Sequence, residues 1–168
     1  DRVIVGHPNP DYVWGITNDF RYKNFDLSMF WQGVADQDIY NNQKYQTDFW
    51  SITDAGSNKG NRMLNAWTSD NTDSSIPALT TNNTADEGRV STYYVENGSY
   101  LKLRTLQLGY NVPEKFISKL KMSSLRAYIS GQNLLTLKSS SLTCSDPENP
   151  NWAYPLATSI SFGLQVGF

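Results

Sequence analysis

The last thirteen residues, Leu156 to Phe168, constrain the fold more than any other stretch of this chain. Thr158, Ile160, Phe162, Leu164, Val166 and Phe168 alternate with Ala157, Ser159, Ser161, Gly163, Gln165 and Gly167. The first set is apolar apart from its first member, and the second is small or polar throughout. Successive side chains of a strand point to opposite faces, so one face here wants core or lipid and the other wants water or close backbone approach. About ten residues patterned in this way make one pass of a tilted strand through a bilayer. The segment closes on Phe168, as the last strand of a membrane barrel would, whereas a soluble sandwich has no use for an exposed terminal aromatic.

Composition leaves that reading open and closes several others. Charged residues are 18% of the chain and aromatics 13%, with five Trp and ten Tyr, so the surface is poor in charge and rich in rings. A net charge of −2 and the lack of any Lys/Arg-rich run argue against a nucleic-acid partner. Mean hydropathy is −0.51, and no stretch approaches the roughly 18 apolar residues of a membrane helix. A barrel is untouched by that argument, because lumen-facing polar residues dilute the hydropathy of every strand. The single Cys144 excludes a disulfide framework within the chain. Asp1 is preceded by no Met, signal peptide or lipidation motif. An exported protein should carry its signal upstream, so the expectation is a C-terminal piece of something larger.

Five strands are expected, at about 11–20, 25–34, 99–110, 124–136 and 156–168. In the first, Tyr12, Trp14, Ile16 and Phe20 share a face broken by Asn18. In the second, Phe25, Leu27, Met29 and Trp31 oppose Asp26, Ser28, Phe30 and Gln32. The fourth sets Leu125, Ala127, Ile129 and Gly131 against Arg126, Tyr128, Ser130 and Gln132. The third is irregular: Leu101 and Leu103 have one parity, Leu106, Leu108 and Tyr110 the other. Either a bulge near Thr105 resets the register or the upper half projects beyond the membrane.

The connections alternate in length. Turns 21–24 and 111–123 are short, the second with Pro113 opening a helical turn that carries Phe116, Ile117 and Leu120. Segments 1–10, 35–98 and 138–155 are long, and the middle one has 64 residues. Short turns on one side and long loops on the other suit an outer-membrane barrel, periplasmic and extracellular respectively. A structureless loop that long would count against a compact soluble domain. Five strands cannot close a barrel, since an open edge in lipid leaves backbone groups unpaired. Partner strands must come from missing sequence or from a second chain.

With these motifs placed, the chain resembles the C-terminal region of the SusC/RagA-type TonB-linked outer-membrane transporters of the Bacteroidetes. The matching runs are Val5–Asp11 (Val-Gly-His-Pro-Asn-Pro-Asp), Phe25–Gly33 (Phe-Asp-Leu-Ser-Met-Phe-Trp-Gln-Gly) and Ala66–Thr68. They continue through Val95–Arg104, Leu108–Tyr110, Ser124–Leu134 and Tyr154-Pro155 to the closing Gly163-Leu-x-x-x-Phe168. The tail Gly163-x-x-Val166-x-Phe168 is similar to the assembly signal that the barrel insertion machinery reads. The resemblance implies an all-β fold, the last five antiparallel strands of a plugged transmembrane barrel of about 22 strands, with long extracellular loops. It implies a multi-pass protein of the bacterial outer membrane, in contact with lipid and with the remaining strands of its own barrel. It further implies uptake of oligosaccharides or peptides, a SusD-like surface lipoprotein as partner, and TonB engaged through an N-terminal region and plug that this chain lacks.

No enzyme is expected. His7 is the only histidine, which removes His-dependent triads and multi-His metal sites. The long loop carries nine carboxylates against four basic residues, but nothing fixes two of them at a glycosidase separation. They read as solvated loop charge. A Ca²⁺ site is the lesser alternative, since the alternating-ligand pattern is missing, and no cofactor is expected. The loop's rings are better candidates for ligand or lid contact: Tyr45, Phe49, Trp50, Trp67, Tyr93 and Tyr94, with Tyr40 beside them. Flat rings give large contact area for few frozen torsions. Against this, the same rings would make a small core for the loop, a part that Trp67 suits best. Asn82-Asn83-Thr84 and Asn97-Gly98-Ser99 match the glycosylation pattern by chance. A soluble β-rich carbohydrate-binding module is the alternative function.

Overall fold

The computed structural model describes residues 3–49, 58–80, 89–151 and 153–168, with the side chain of Leu120 outside that set. The chain divides into two compact units. One contains residues 10–37, 98–139 and 156–168, the other 1–9, 38–97 and 140–155.

The first unit is a five-stranded antiparallel sheet. Its strands are β1 (Tyr12–Tyr22), β2 (Phe25–Ala35), β5 (Tyr100–Asn111), β6 (Ser124–Lys138) and β7 (Ser159–Gly167), in that spatial order. An 11-residue strand such as β1 is roughly 36 Å long at about 3.3 Å per residue. Tilted by about 45° it covers roughly 25 Å, the height of an apolar barrel band.

Register joins the alternating patterns of separate strands into one face. Ile16 pairs with Trp31, Phe20 with Leu27 and Tyr22 with Phe25, while Leu27 pairs with Leu108 and Phe25 with Tyr110. Across β6 the row continues through Leu108–Ile129 and Ile129–Phe162. The irregular third strand resolves into a bulge at Arg104. Trp31 pairs with Leu103 while Phe30 pairs with Thr105, so one residue is skipped. That skip returns Leu101 and Leu103 to the face of Leu106 and Leu108. On β6 the disturbance is met by Asn133, which adopts a left-handed φ of 51° that asparagine tolerates better than most residues.

The apolar face is open. Phe20 is 56% exposed, Phe162 80% and Leu164 73%, an apolar surface of the kind that marks contact with a membrane or a partner. The reverse face carries Ser28, Gln32, Gln107, Arg126, Ser130, Ser159, Ser161 and Gln165. The terminal ladder starts at Ser159 rather than at Leu156, because Gln132–Ser159 is the last β6–β7 pair. Just before it, the Asn133 amide donates to the Ala157 carbonyl at 3.2 Å, and the Thr158 hydroxyl donates to the Asn133 carbonyl at 2.9 Å.

The second unit is built from the long connections, which fold on one another. A two-stranded ribbon pairs β3 (Asp38–Tyr40) with β4 (Val95–Asn97). Between them lie helix α1 (Asn42–Asp48) and two single turns at Asn61–Asn65 and Thr92–Tyr94. Seven residues make a helix too short to stand alone. Asn41 caps it, its side-chain oxygen accepting from the Lys44 N–H at 2.9 Å. In β5–β6, the connecting turn holds α2 (Glu114–Ile117) after Pro113.

Candidate functional site

Tyr94 is the centre of the second unit. It is fully buried, with the Tyr93 ring edge-on at 5.0 Å, Tyr45 at 5.4 Å and Tyr40 at 5.9 Å between centroids. Phe49, Met63 and Ala66 complete the buried cluster, and Ile76 packs against it. Edge-to-face ring pairs add about 0.5–1.5 kcal/mol each beyond their burial, enough to hold a segment with little regular structure.

Beneath the rings runs a polar network that sequence reading did not find. Glu96 is 7% exposed and both Asn41 and Asp48 are wholly buried. Glu96 accepts from the Asn41 amide at 2.9 Å, from the Thr143 N–H at 2.8 Å and from the Thr143 hydroxyl at 2.8 Å. The Lys44 ammonium lies 3.3 Å from Glu96, donates to the Tyr93 carbonyl at 2.6 Å and sits 4.0 Å from the Tyr93 ring centroid. Asp48 meets the Arg62 guanidinium at 3.2 Å and accepts from the Tyr93 hydroxyl at 2.7 Å. Arg62 also donates to the Thr143 hydroxyl at 2.9 Å. Residues 41–48, Arg62, 93–96 and Thr143 are thereby tied together through two buried carboxylates.

This corrects the expectation that the loop carboxylates are solvated: Asp48 and Glu96 are framework. Burial alone would raise the Glu96 carboxyl, but the donors from Thr143 and Asn41 and the Lys44 charge outweigh it and hold it below its ordinary range. Burial, then the hydrogen bond to Asp48, pushes the Tyr93 phenol upward. Tyr40 is raised by burial and next by Tyr45. Among the described residues, no three His, Cys, Asp or Glu side chains come together to hold a metal ion.

The candidate rings are thus placed differently from one another. Tyr94 and Phe49 are interior, and their surfaces are taken up by packing. Tyr45, Tyr40 and Tyr93 are half-buried at the cluster's margin. Trp67 is 44% exposed, on a tight turn where its N–H donates to the Ile76 carbonyl at 2.9 Å. Trp50 and the Asn82-Asn83-Thr84 motif lie outside the described residues. Tyr40 and Tyr45 line a groove of about 480 Å³ together with Val5, Pro8, Asp38, Val90 and Val95. Asp38 accepts there from the His7 N–H at 2.9 Å.

In the sheet, Gly163 and Val166 stand in β7 and Phe168 just beyond it, 91% exposed. A Cβ at Gly163 would collide with the Tyr128 ring of the neighbouring strand, so glycine lets that ring lie across β7. Gly109 works the same way in β5. Asp26 on β2 and Arg126 on β6 reach each other over it, Arg126 Nε donating to Asp26 at 3.1 Å while the Asn111 amide donates at 3.1 Å. The hint available in sequence was a glycine in the polar row of β5, between two charged strands.

No family model matches the chain. It is 40% identical over 139 residues to the TonB-dependent receptor P3 of Formosa agariphila, covering 81% of this chain and 13% of that protein. Similarity to the TonB-dependent receptor SusC of Bacteroides thetaiotaomicron is 28% over 176 residues, the whole of this chain and 16% of that protein. Its fold matches the RagAB peptide importer in the open-open state with a TM-score of 0.78 at 26% identity, covering 98% of this chain and 18% of that one. The chain thus spans less than a fifth of each relative. Sheet, open apolar face and relatives agree: the chain belongs to the SusC/RagA-type TonB-dependent receptors of the bacterial outer membrane, as a partial region of their transmembrane β-barrel.

Proposed function

We propose that this chain supplies five barrel strands of a TonB-dependent nutrient importer that works with a SusD-like surface lipoprotein and is not an enzyme. The observation that carries the reading is the continuous apolar face on β1, β2, β5, β6 and β7, with a polar reverse face toward a lumen. Both edge strands, β1 and β7, need further strands in lipid, which supports a larger barrel; the family resemblance implies about 22 strands for it. On this reading 1–10, 35–98 and 138–155 are extracellular, and 21–24 and 111–123 are periplasmic. A soluble carbohydrate-binding module would have to cover that face.

The substrate is an oligosaccharide or a peptide, and the groove favours the peptide. Its valine and proline lining suits an apolar side chain, and it offers few of the polar groups that orient a sugar. The family relation to a peptide importer points the same way. Limited proteolysis on intact cells tests topology and partner together. Cleavage within 58–80 should occur when the lipoprotein is deleted and be suppressed at least tenfold when it is present. Cleavage confined to periplasmic access would reverse the topology.

Phe168, with Gly163 and Val166, is proposed as the assembly signal. Deleting Phe168 removes about 1.5–3 kcal/mol of apolar burial at most, little for a large barrel already formed. The amount inserted should fall several-fold while uptake per inserted molecule stays unchanged, measured as surface-exposed protein and substrate uptake in the same cells. Normal insertion with abolished uptake would place Phe168 in the transport path instead.

A further inference from the structure

The short-turn end of the sheet is charged and apolar at once. Two hairpin connections meet there, the Asn111 N–H donating to the Asn24 carbonyl at 2.8 Å. The apolar face finishes at this end in rings: Tyr22 is 71% exposed and Phe25 50%, with Tyr110 packed at a tilt against Phe25, 4.8 Å between centroids. Just past them the β5–β6 turn is seated by Ile117, 3% exposed, and turns its neighbour Phe116 outward at 60%. The same turn carries Lys115, Lys119 and Lys121, all exposed, and the adjoining hairpin carries Lys23, exposed as well. Lys115 Nζ is 4.8 Å from the Phe116 centroid, and Lys23 Nζ is 5.3 Å from that of Tyr22. Asp26, the nearest carboxylate on the polar face, is engaged by Arg126, and Glu114 is the turn's one acidic residue. At the opposite strand ends the charges are mixed, with Asp11, Asp36 and Lys138.

An exposed phenylalanine on a turn with three exposed lysines is unfavourable in water but suits the boundary of a bilayer. There the ring enters the acyl margin and the ammonium groups stay at headgroup level. Aromatic residues mark that boundary at both edges of a barrel's apolar band. Lys115, Lys119 and Lys121 belong to the turn that follows Tyr110 out of the sheet, and so come next to that boundary on its headgroup side. We infer that the Pro113–Lys121 turn, with Lys23, is an anchoring surface for anionic phospholipid headgroups in the leaflet on the short-turn side. The binding is electrostatic, with Phe116 setting its depth. Side chains of this kind add about fivefold each to attraction for an anionic surface.

The test uses the whole transporter in nanodiscs of phosphatidylcholine with a minor share of phosphatidylglycerol. After extraction into detergent, the ratio of the two lipids retained by the protein is read by mass spectrometry. Wild type should retain phosphatidylglycerol above the bulk ratio. The Lys115→Gln/Lys119→Gln/Lys121→Gln variant should lose at least tenfold of that enrichment, and the corresponding triple Lys→Arg variant should keep it. Phosphate added at matched ionic strength should compete no better than chloride. Equal enrichment in wild type and the glutamine variant overturns the inference. Selective displacement by phosphate overturns it too, since the lysines would then form a site for the free anion.

Discussion

Replacing Phe162 by Arg should sharply reduce the folded barrel recovered from the outer membrane, while replacing its neighbour Ser161 by Arg should leave it nearly intact. Phe162 is 80% exposed in the middle of β7, on the face it shares with Ile129 and Leu108. Arginine near the bilayer midplane on a lipid-facing position costs about 2–4 kcal/mol. Ser161 points to the other face and pairs with Ser130, where water or polar side chains can solvate a guanidinium. It is a better control than Gln165, because Gln165 pairs with Arg126 and a like charge directly opposite would carry its own penalty. The measurement is the fraction of whole protein that migrates as a heat-modifiable folded band. Equal loss from both substitutions would mean that the two faces do not differ in environment, and the reading of one face to lipid and the other to a lumen would fail.

The sheet was legible in sequence because its physics is local. A two-residue period survives in each strand without knowledge of any other, and the parity change between Leu103 and Leu106 narrowed the third strand to two readings, a bulge near Thr105 or a projecting upper half, of which strand pairing shows the bulge. What parity could not supply was the choice of the skipped residue, which depends on pairing with β2 and β6. The second unit was far less legible for the opposite reason. Glu96 and Thr143 are 47 residues apart and Asn41 and Thr143 are 102 apart, and no short-range pattern distinguishes a carboxylate that will meet such partners from one that stays in water. Asp48 and Asp70 look alike on the page, yet Asp48 is wholly buried and Asp70 exposed. The rings show the same divide. Tyr93 and Tyr94 are adjacent identical residues, and only the fold makes one the hub and the other its margin.

Glu96→Ala should unfold the loop unit selectively, leaving the barrel strands in place. The substitution strips partners from the Asn41 amide, the Thr143 N–H and hydroxyl, and Lys44, all in a largely dry setting. Removing one member of a buried, hydrogen-bonded charge pair costs about 3–5 kcal/mol, which is a large part of what a unit with so little regular structure can hold. Asn41 also caps α1, so the damage should spread from β3 and β4 into the helix and the Tyr94 cluster. The same group gives the unit an acid sensitivity whose sign is fixed. Glu96 is held below its unfolded value, so its contribution is complete above the ordinary carboxylate range and is lost as pH falls through the lowered folded value. Hydrogen exchange on the whole protein in detergent would read both effects. Protection of amides in 38–49 and 92–97 should drop by two to three orders of magnitude in the variant, with β5 to β7 unchanged. In wild type the same amides should lose protection on acidification before those of the sheet do. Glu96→Gln separates charge from hydrogen bonding, because it keeps an acceptor for Thr143 while leaving Lys44 without its counter-charge. It should fall between wild type and alanine and should flatten the acid dependence; a glutamine variant as acid-sensitive as wild type would assign the pH response to another group.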